Sequence, residues 1–210
     1  MKKKIYTALA IGTLLFTACN NSTSKSEQEG HDMNSMVKDS MPHATQTDTK
    51  EAKIITATFT TVDVKAAASI KEIVSHYLHI KNALANDNGS EAASGAQAMG
   101  KAIATMDKSL LTAAEKKVYD DIAEDLKEHA EHIGKNGDKI EHQRSHFSMM
   151  SKDVYDLVKA FGAGQPIYHD HCPMYDDNKG AMWLSEVQEV KNPYFGAKML
   201  TCGTVEEIIK

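Results

Sequence analysis

The chain has 210 residues, a formal net charge of −5 at pH 7 and a hydrophobic fraction of 41%. No basic stripe accompanies this mildly acidic balance, which argues against nucleic acid as a partner. Once an export signal and a polar tether are set aside, about 150 residues remain, the size of one domain.

The first residues follow the pattern of a bacterial export signal. A basic start, Met1 to Lys4, precedes an apolar run from Ile5 to Ala18 that is too short to span a bilayer. The run ends in Leu-Phe-Thr-Ala-Cys, which resembles a bacterial lipobox. We therefore expect a signal peptide over residues 1–18, lipidation of Cys19 and a cell-envelope protein held by a lipid anchor. An ordinary signal peptide with an incidental cysteine is the alternative.

Residues 19–61 have the composition of a disordered tether, because they are polar and show no apolar periodicity. Five soft or imidazole donors lie within this stretch: His31, Met33, Met36, Met41 and His43. On a flexible arm, thioethers and imidazoles would capture Cu(I) transiently. Chance clustering in a polar linker explains the same pattern equally well.

Residues 62–164 predict four helices, because apolar residues recur at three- and four-residue steps. The expected ranges are 62–86, 90–106, 112–136 and 138–161. Thr112 and Glu115 form a capping box at the start of the third helix. Since the connections are short, the predicted fold class is mainly α, as an up-down four-helix bundle.

Residues 165–210 break the helical pattern with three prolines and several glycines. We expect an irregular segment of short strands or loops, with extended pieces near 180–190 and 198–202. Thr204 and Glu207 predict a closing helical turn over residues 205–210.

Soft metal donors gather in this C-terminal segment. They comprise two thiols and two thioethers with one adjacent imidazole: Cys172, Met174, Met199, Cys202 and His171. Thiolate and thioether ligands favour Cu(I) over hard cations such as Mg²⁺. The same two cysteines would close a disulfide loop of about 30 residues, worth roughly 3–4 kcal/mol. From chemistry alone, a metal site and a disulfide are equally supported.

Histidines of the third and fourth predicted helices form a second set of donors. His142 and His146 stand one turn apart, away from the core stripe of their helix. We expect them to face the C-terminal segment and to place imidazoles beside the sulfur donors; a solvated histidine face is the alternative. His129 lies on the apolar stripe of the third helix, which is typical of a hydrogen-bonded core residue, and His132 lies at the border of that stripe.

Four segments, 140–147, 168–174, 179–185 and 192–203, resemble a family of bacterial envelope domains. This family is a helical domain of unknown function, found alone in lipoproteins and fused to adaptor subunits of heavy-metal (copper/silver) efflux pumps. The resemblance covers Val62 to Lys210. It implies metal handling, with an efflux adaptor as a possible partner.

These patterns together predict a lipid-anchored protein whose domain, residues 62–210, combines a bundle (62–164) with a C-terminal segment (165–210). It would hold Cu(I) or another soft ion for sequestration or for delivery to efflux. The expected ligands are Cys172, Met174 and Cys202, with Met199, His171, His142 and His146 as further candidates. No hydrolase, nucleotide-binding or zinc-protease motif occurs, so no enzymatic activity is expected. The alternative is a structural or interaction lipoprotein with a Cys172–Cys202 disulfide.

Overall fold

The structure, a computed structural model, describes residues 52–210. Cys19 and the methionine and histidine cluster of the predicted tether lie outside the described residues. Within residues 52–210, no helix is both long enough and apolar enough to cross a membrane.

The described chain is mainly helical, with four long helices and a small sheet of four short strands. In chain order the elements are β1 (Lys53–Ile55), α1 (Val64–Ala85), α2 (Gly89–Thr105), α3 (Ala113–Lys135), α4 (Ile140–Phe161), β2 (Ile167–Cys172), the short α5 (Tyr175–Asn178), β3 (Ala181–Ser185) and β4 (Thr204–Ile209). Each long helix packs against the next, and α1 also contacts α4, as in a four-helix bundle.

The helix starts follow from local capping chemistry. Asp63 caps α1, since its carboxylate accepts the Lys65 N–H at 2.8 Å. The capping box predicted for α3 is present. The Glu115 carboxylate accepts the Thr112 N–H at 2.7 Å, and the Thr112 hydroxyl accepts the Glu115 N–H at 3.3 Å.

The C-terminal segment contains three short strands, which is one of the two forms expected for it, and they join β1 in a sheet with strand order β1-β4-β2-β3. β2 lies antiparallel to both β3 and β4, while β1 lies parallel to β4. The helical turn predicted over residues 205–210 is strand β4 instead. The expected extended piece at 198–202 is a turn that follows a short 3₁₀ helix, Gly196–Lys198. Pairing with β2 and β1 outweighs the local capping signal of Thr204 and Glu207.

β1 comes from a stretch that was assigned to the tether on composition. Lys53, Ile54 and Ile55 pair with the end of β4, so this part of the predicted tether is folded. The chain then stays on the domain, because the ring of Phe59 lies 5.2 Å from that of Phe161 on α4. A three-residue strand carries too little periodicity to be recognised in the sequence.

A buried chain of hydrogen bonds joins the sheet to the helices. The Leu184 N–H of β3 donates to the Tyr77 hydroxyl of α1 at 2.9 Å, and that hydroxyl lies 2.8 Å from the Ser151 hydroxyl of α4. Ser151 in turn donates to the Phe147 carbonyl at 2.8 Å. The sheet therefore covers the face of α4 that carries Ser151, which leaves another face of that helix for α3.

Candidate metal centre

Four histidines meet where α3 packs against α4. His129 and His132 are three residues apart on α3, and His142 and His146 are four residues apart on α4, so each pair lies on one helix face. The His146 ring centroid lies 4.1 Å from that of His132, 4.6 Å from that of His142 and 5.4 Å from that of His129. His146 is thus the centre of the cluster.

Three of these side chains have the spacing of a metal-ligand set. Among the described residues, ligand atoms of His132, His142 and His146 all lie within 4.8 Å of one another. A tetrahedral ion with metal–nitrogen bonds of about 2.0 Å, as in zinc sites, needs ligand nitrogens about 3.3 Å apart. His132 and His142 are exposed, so rotation of their rings would close this gap without disturbing the core. His146 is partly buried and supplies the fixed position.

The surroundings keep the inner histidines neutral. Burial, followed by the neighbouring His132, His142 and His129, lowers the pKa of His146 to about 4. Burial also lowers the pKa of His129. A neutral imidazole offers a lone pair to a metal, whereas an imidazolium has none, so these residues are prepared to ligate at neutral pH.

His129 and Asp153 lie behind His146. The Nδ1 atoms of His129 and His146 are 3.2 Å apart, and His129 Nε2 lies 3.9 Å from Asp153 Oδ2. Burial, together with Asp125 and Asp156, raises the pKa of Asp153 to about 6. Asp153 is therefore a carboxylate at pH values clearly above 6.

The orientation predicted for His142 and His146 was wrong, because their rings face His132 and His129 of α3 rather than the C-terminal segment. Sequence reasoning also missed His129 and His132 as members of the cluster. The available signal was the combination of His-x-x-His on one helix with His-x-x-x-His on the next. A short connection makes those two helices antiparallel neighbours, so their histidine faces can meet.

The two thiols of the predicted sulfur site do lie together. Cys172 is fully buried, Cys202 is partly exposed, and both are free. β2 ends at Cys172, and the residue before it, His171, pairs with Thr204 at the start of β4. Cys202 lies two residues before Thr204, so both cysteines lie at this end of the β2–β4 pair. Burial and the adjacent Cys172 side chain raise the pKa of the Cys202 thiol to about 11.

The other predicted sulfur-site ligands are placed differently. His171 adjoins Cys172 in an extended strand and so points to the opposite face of the sheet, where its Nδ1 lies 3.5 Å from Glu206 Oε1. Met174 lies beyond the end of β2 and is 48% exposed. Met199 is partly buried in the turn that precedes Cys202. The predicted ligands therefore do not form one site: Cys172 and Cys202 form a thiol pair, and His142 and His146 belong to the α3–α4 histidine cluster.

Comparison with known proteins identifies one family match. Residues 73–166 match the model of a family described as "Protein of unknown function (DUF3347)". The match is consistent with the helical domain of unknown function that was expected from the resemblance, and it spans the histidine cluster but ends before the thiol pair. No curated protein and no solved structure matches the chain.

Proposed function

We propose that this protein binds copper or a related transition-metal ion at the cell envelope, with His132, His142 and His146 as its ligands. The convergence of these three imidazoles within 4.8 Å carries the proposal. Imidazole ligands suit copper, zinc, nickel and iron, and copper(II) binds most tightly among divalent first-row ions. Since the set contains no carboxylate, hard cations such as Mg²⁺ and Ca²⁺ are poor candidates.

Sequestration or delivery, without chemical turnover, fits such a site. Three protein ligands leave a fourth position of a tetrahedral ion open for water or for a ligand from a partner. His132 and His142 lie at the surface, so a metal ion can enter and leave without opening the core. We propose an efflux adaptor as the recipient, on the strength of the resemblance.

Competition titration of the whole protein with Cu(I), Cu(II) and Zn(II) tests this proposal. We expect His142→Ala and His146→Ala each to weaken binding at least about tenfold, since each removes one of three ligands. His79→Ala is the matched control, because His79 is a partly exposed helical histidine that contacts Glu91 at 2.6 Å and lies outside the cluster. Unchanged affinity in both cluster variants would contradict the proposal.

The thiol pair provides the competing location. The double variant Cys172→Ser, Cys202→Ser is expected to retain the metal affinity of the histidine site. If this variant loses Cu(I) while the histidine variants keep it, the ion is bound by sulfur, and the histidine assignment is wrong.

The second candidate is a structural or interaction lipoprotein that is crosslinked by a Cys172–Cys202 disulfide. The adjacency of the two thiols at the end of β2 favours it. Such a protein would show no specific metal affinity in the same titration.

A further inference from the structure

We infer that Asp153, His129 and His146 form a chain of side-chain contacts that fixes His146 as the tautomer with a free Nε2 lone pair. The use of this lone pair for a metal depends on the proposed function. The tautomer itself does not, because it is set by protein groups alone. His129 and Asp153 would thus be positioning residues for the metal ligand His146.

The three side chains lie in line between α3 and α4. The His129 and Asp153 side chains are only 13% and 25% exposed. Nδ1 of His129 lies 3.2 Å from Nδ1 of His146, which is hydrogen-bonding distance. On the other side of the same ring, Nε2 of His129 lies 3.9 Å from Asp153 Oδ2. This distance is too long for a hydrogen bond, but the negative charge of the carboxylate still favours an N–H over a lone pair on that side of the ring. His129 therefore has one ring nitrogen toward each partner.

The order of the protons follows from what each group can do. A carboxylate only accepts hydrogen bonds, and a neutral imidazole has one N–H and one lone pair. With the carboxylate beside it, Nε2 of His129 carries the proton. Nδ1 of His129 is then the acceptor, and Nδ1–H of His146 must donate to it. The remaining nitrogen of His146, Nε2, is left with its lone pair.

The opposite arrangement is unfavourable on both sides of the His129 ring. If His129 donated from Nδ1, its Nε2 lone pair would point toward the Asp153 carboxylate. His146 would then carry its proton on Nε2 and offer no lone pair outside this bond. Contacts of this kind behind metal-bound histidines typically change metal affinity by about 10- to 100-fold.

Nitrogen-detected NMR of the metal-free protein at pH 8 tests the chain directly, because histidine ¹⁵N shifts report the tautomer. We expect the Nδ1–H form for His146 and the Nε2–H form for His129. In His129→Ala, His146 should revert toward the Nε2–H form that unconstrained histidines favour. His129→Asn should restore the Nδ1–H form, since the asparagine amide oxygen can replace the Nδ1 acceptor. His146 as Nε2–H in the unmodified protein, or unaffected by His129→Ala, would overturn the inference.

Metal titration of the same variants provides the second measurement. We expect His129→Ala and Asp153→Asn to weaken binding about 10- to 100-fold, and His129→Asn to stay close to the unmodified protein. Glu124→Gln is the matched control, because it removes one exposed carboxylate from α3. An equal loss in Glu124→Gln would make the effect one of net charge and would overturn the inference.

The two measurements separate this inference from the proposed function. If the tautomers are as expected but no metal binds, the chain of side-chain contacts stands and the metal proposal fails. If metal binds through His142 and His146 but His146 carries its proton on Nε2, the chain fails and the metal proposal stands.

Discussion

The side-chain pKa values of His146 and Asp153 differ from the usual values of histidine and aspartate because of where the helices place these two residues. The spacing of His142 and His146 was sufficient to predict that they share a face. The residues that contact that face could not be predicted from α4 alone. His129 lies on an apolar stripe of α3, and this position does not distinguish it from an ordinary core histidine. In the structure His129 is partly buried, and its ring contacts that of His146.

Asp170 gives a prediction at the scale of one residue. Its side chain is fully buried, neither carboxyl oxygen has a hydrogen-bond partner among the described residues, and burial raises its pKa from 3.8 to about 7 against the opposing effect of Lys81. Between pH 4 and pH 7 the folded state therefore holds a proton that the unfolded state has lost. The free energy of unfolding should fall as the pH rises through this window, by an upper limit of about 4 kcal/mol for a thousandfold difference in proton affinity.

Urea denaturation of Asp170→Asn at several pH values between 4 and 8 checks this prediction. The contribution of Asp170 is the difference from the unmodified protein, which cancels the titration of other groups. We expect the variant to gain in relative stability up to pH 7 and the difference to level off above it. Asp121→Asn, at an exposed residue of α3, should show no such trend. A pH-independent difference for Asp170→Asn would refute the buried, protonated carboxyl.

At the scale of elements, the helices were predictable and the sheet largely was not. Each helix carries its own signals, such as the capping box of Thr112 and Glu115, and these signals act within a few residues. β4 depends on partners far along the chain, because it pairs with β1 from residues 53–55 and with β2 from residues 167–171. No local pattern in Thr204 to Ile209 encodes those partners.

The junction of β2 and β4 leads to a prediction about the thiol pair. Incubation with oxidised glutathione should form a Cys172–Cys202 disulfide, with the glutathione disulfide reduced to two glutathione thiols. Crosslinking these residues should stabilise the fold by roughly 3–4 kcal/mol over the reduced protein, because it closes a loop of about 30 residues in the unfolded chain. Peptide mapping after alkylation identifies the bond, and denaturation measures its effect.

Cys202→Ser is the control for this experiment, since it leaves Cys172 in place without its partner thiol. Oxidation of that variant should not stabilise the monomer. The opposite result is that the unmodified protein forms mixed disulfides with glutathione but no Cys172–Cys202 bond. That result would show that the two thiols do not approach closely enough.

At the scale of the whole molecule, one side chain joins the helices to the loop before β4. Arg144 is the only arginine in the chain and is 2% exposed. Its Nε donates to the Pro193 carbonyl at 2.9 Å, and its Nη2 donates to Asp87 Oδ1 at 2.6 Å and to the Leu84 carbonyl at 3.1 Å. Asp87 also accepts the Ala197 N–H at 2.9 Å. The guanidinium thereby connects α4, the end of α1 and the loop around residues 193–197.

Arg144→Lys keeps the positive charge but removes the planar fork that reaches four partners at once, since Nη1 also donates to Glu141 Oε1 at 3.0 Å. We expect it to lower the free energy of unfolding by about 3 kcal/mol, because the Pro193 and Leu84 carbonyl oxygens lose a charged donor in buried contacts. Hydrogen exchange should show where the structure is destabilised. We expect faster exchange at the Ala197 amide and little change at amides in the middle of α3. Lys135→Ala, which removes an exposed ion pair with Glu131, should cost less than about 1 kcal/mol. Equal stability of Arg144→Lys and the unmodified protein would show that charge alone, without the geometry of the fork, holds the loop on the helices.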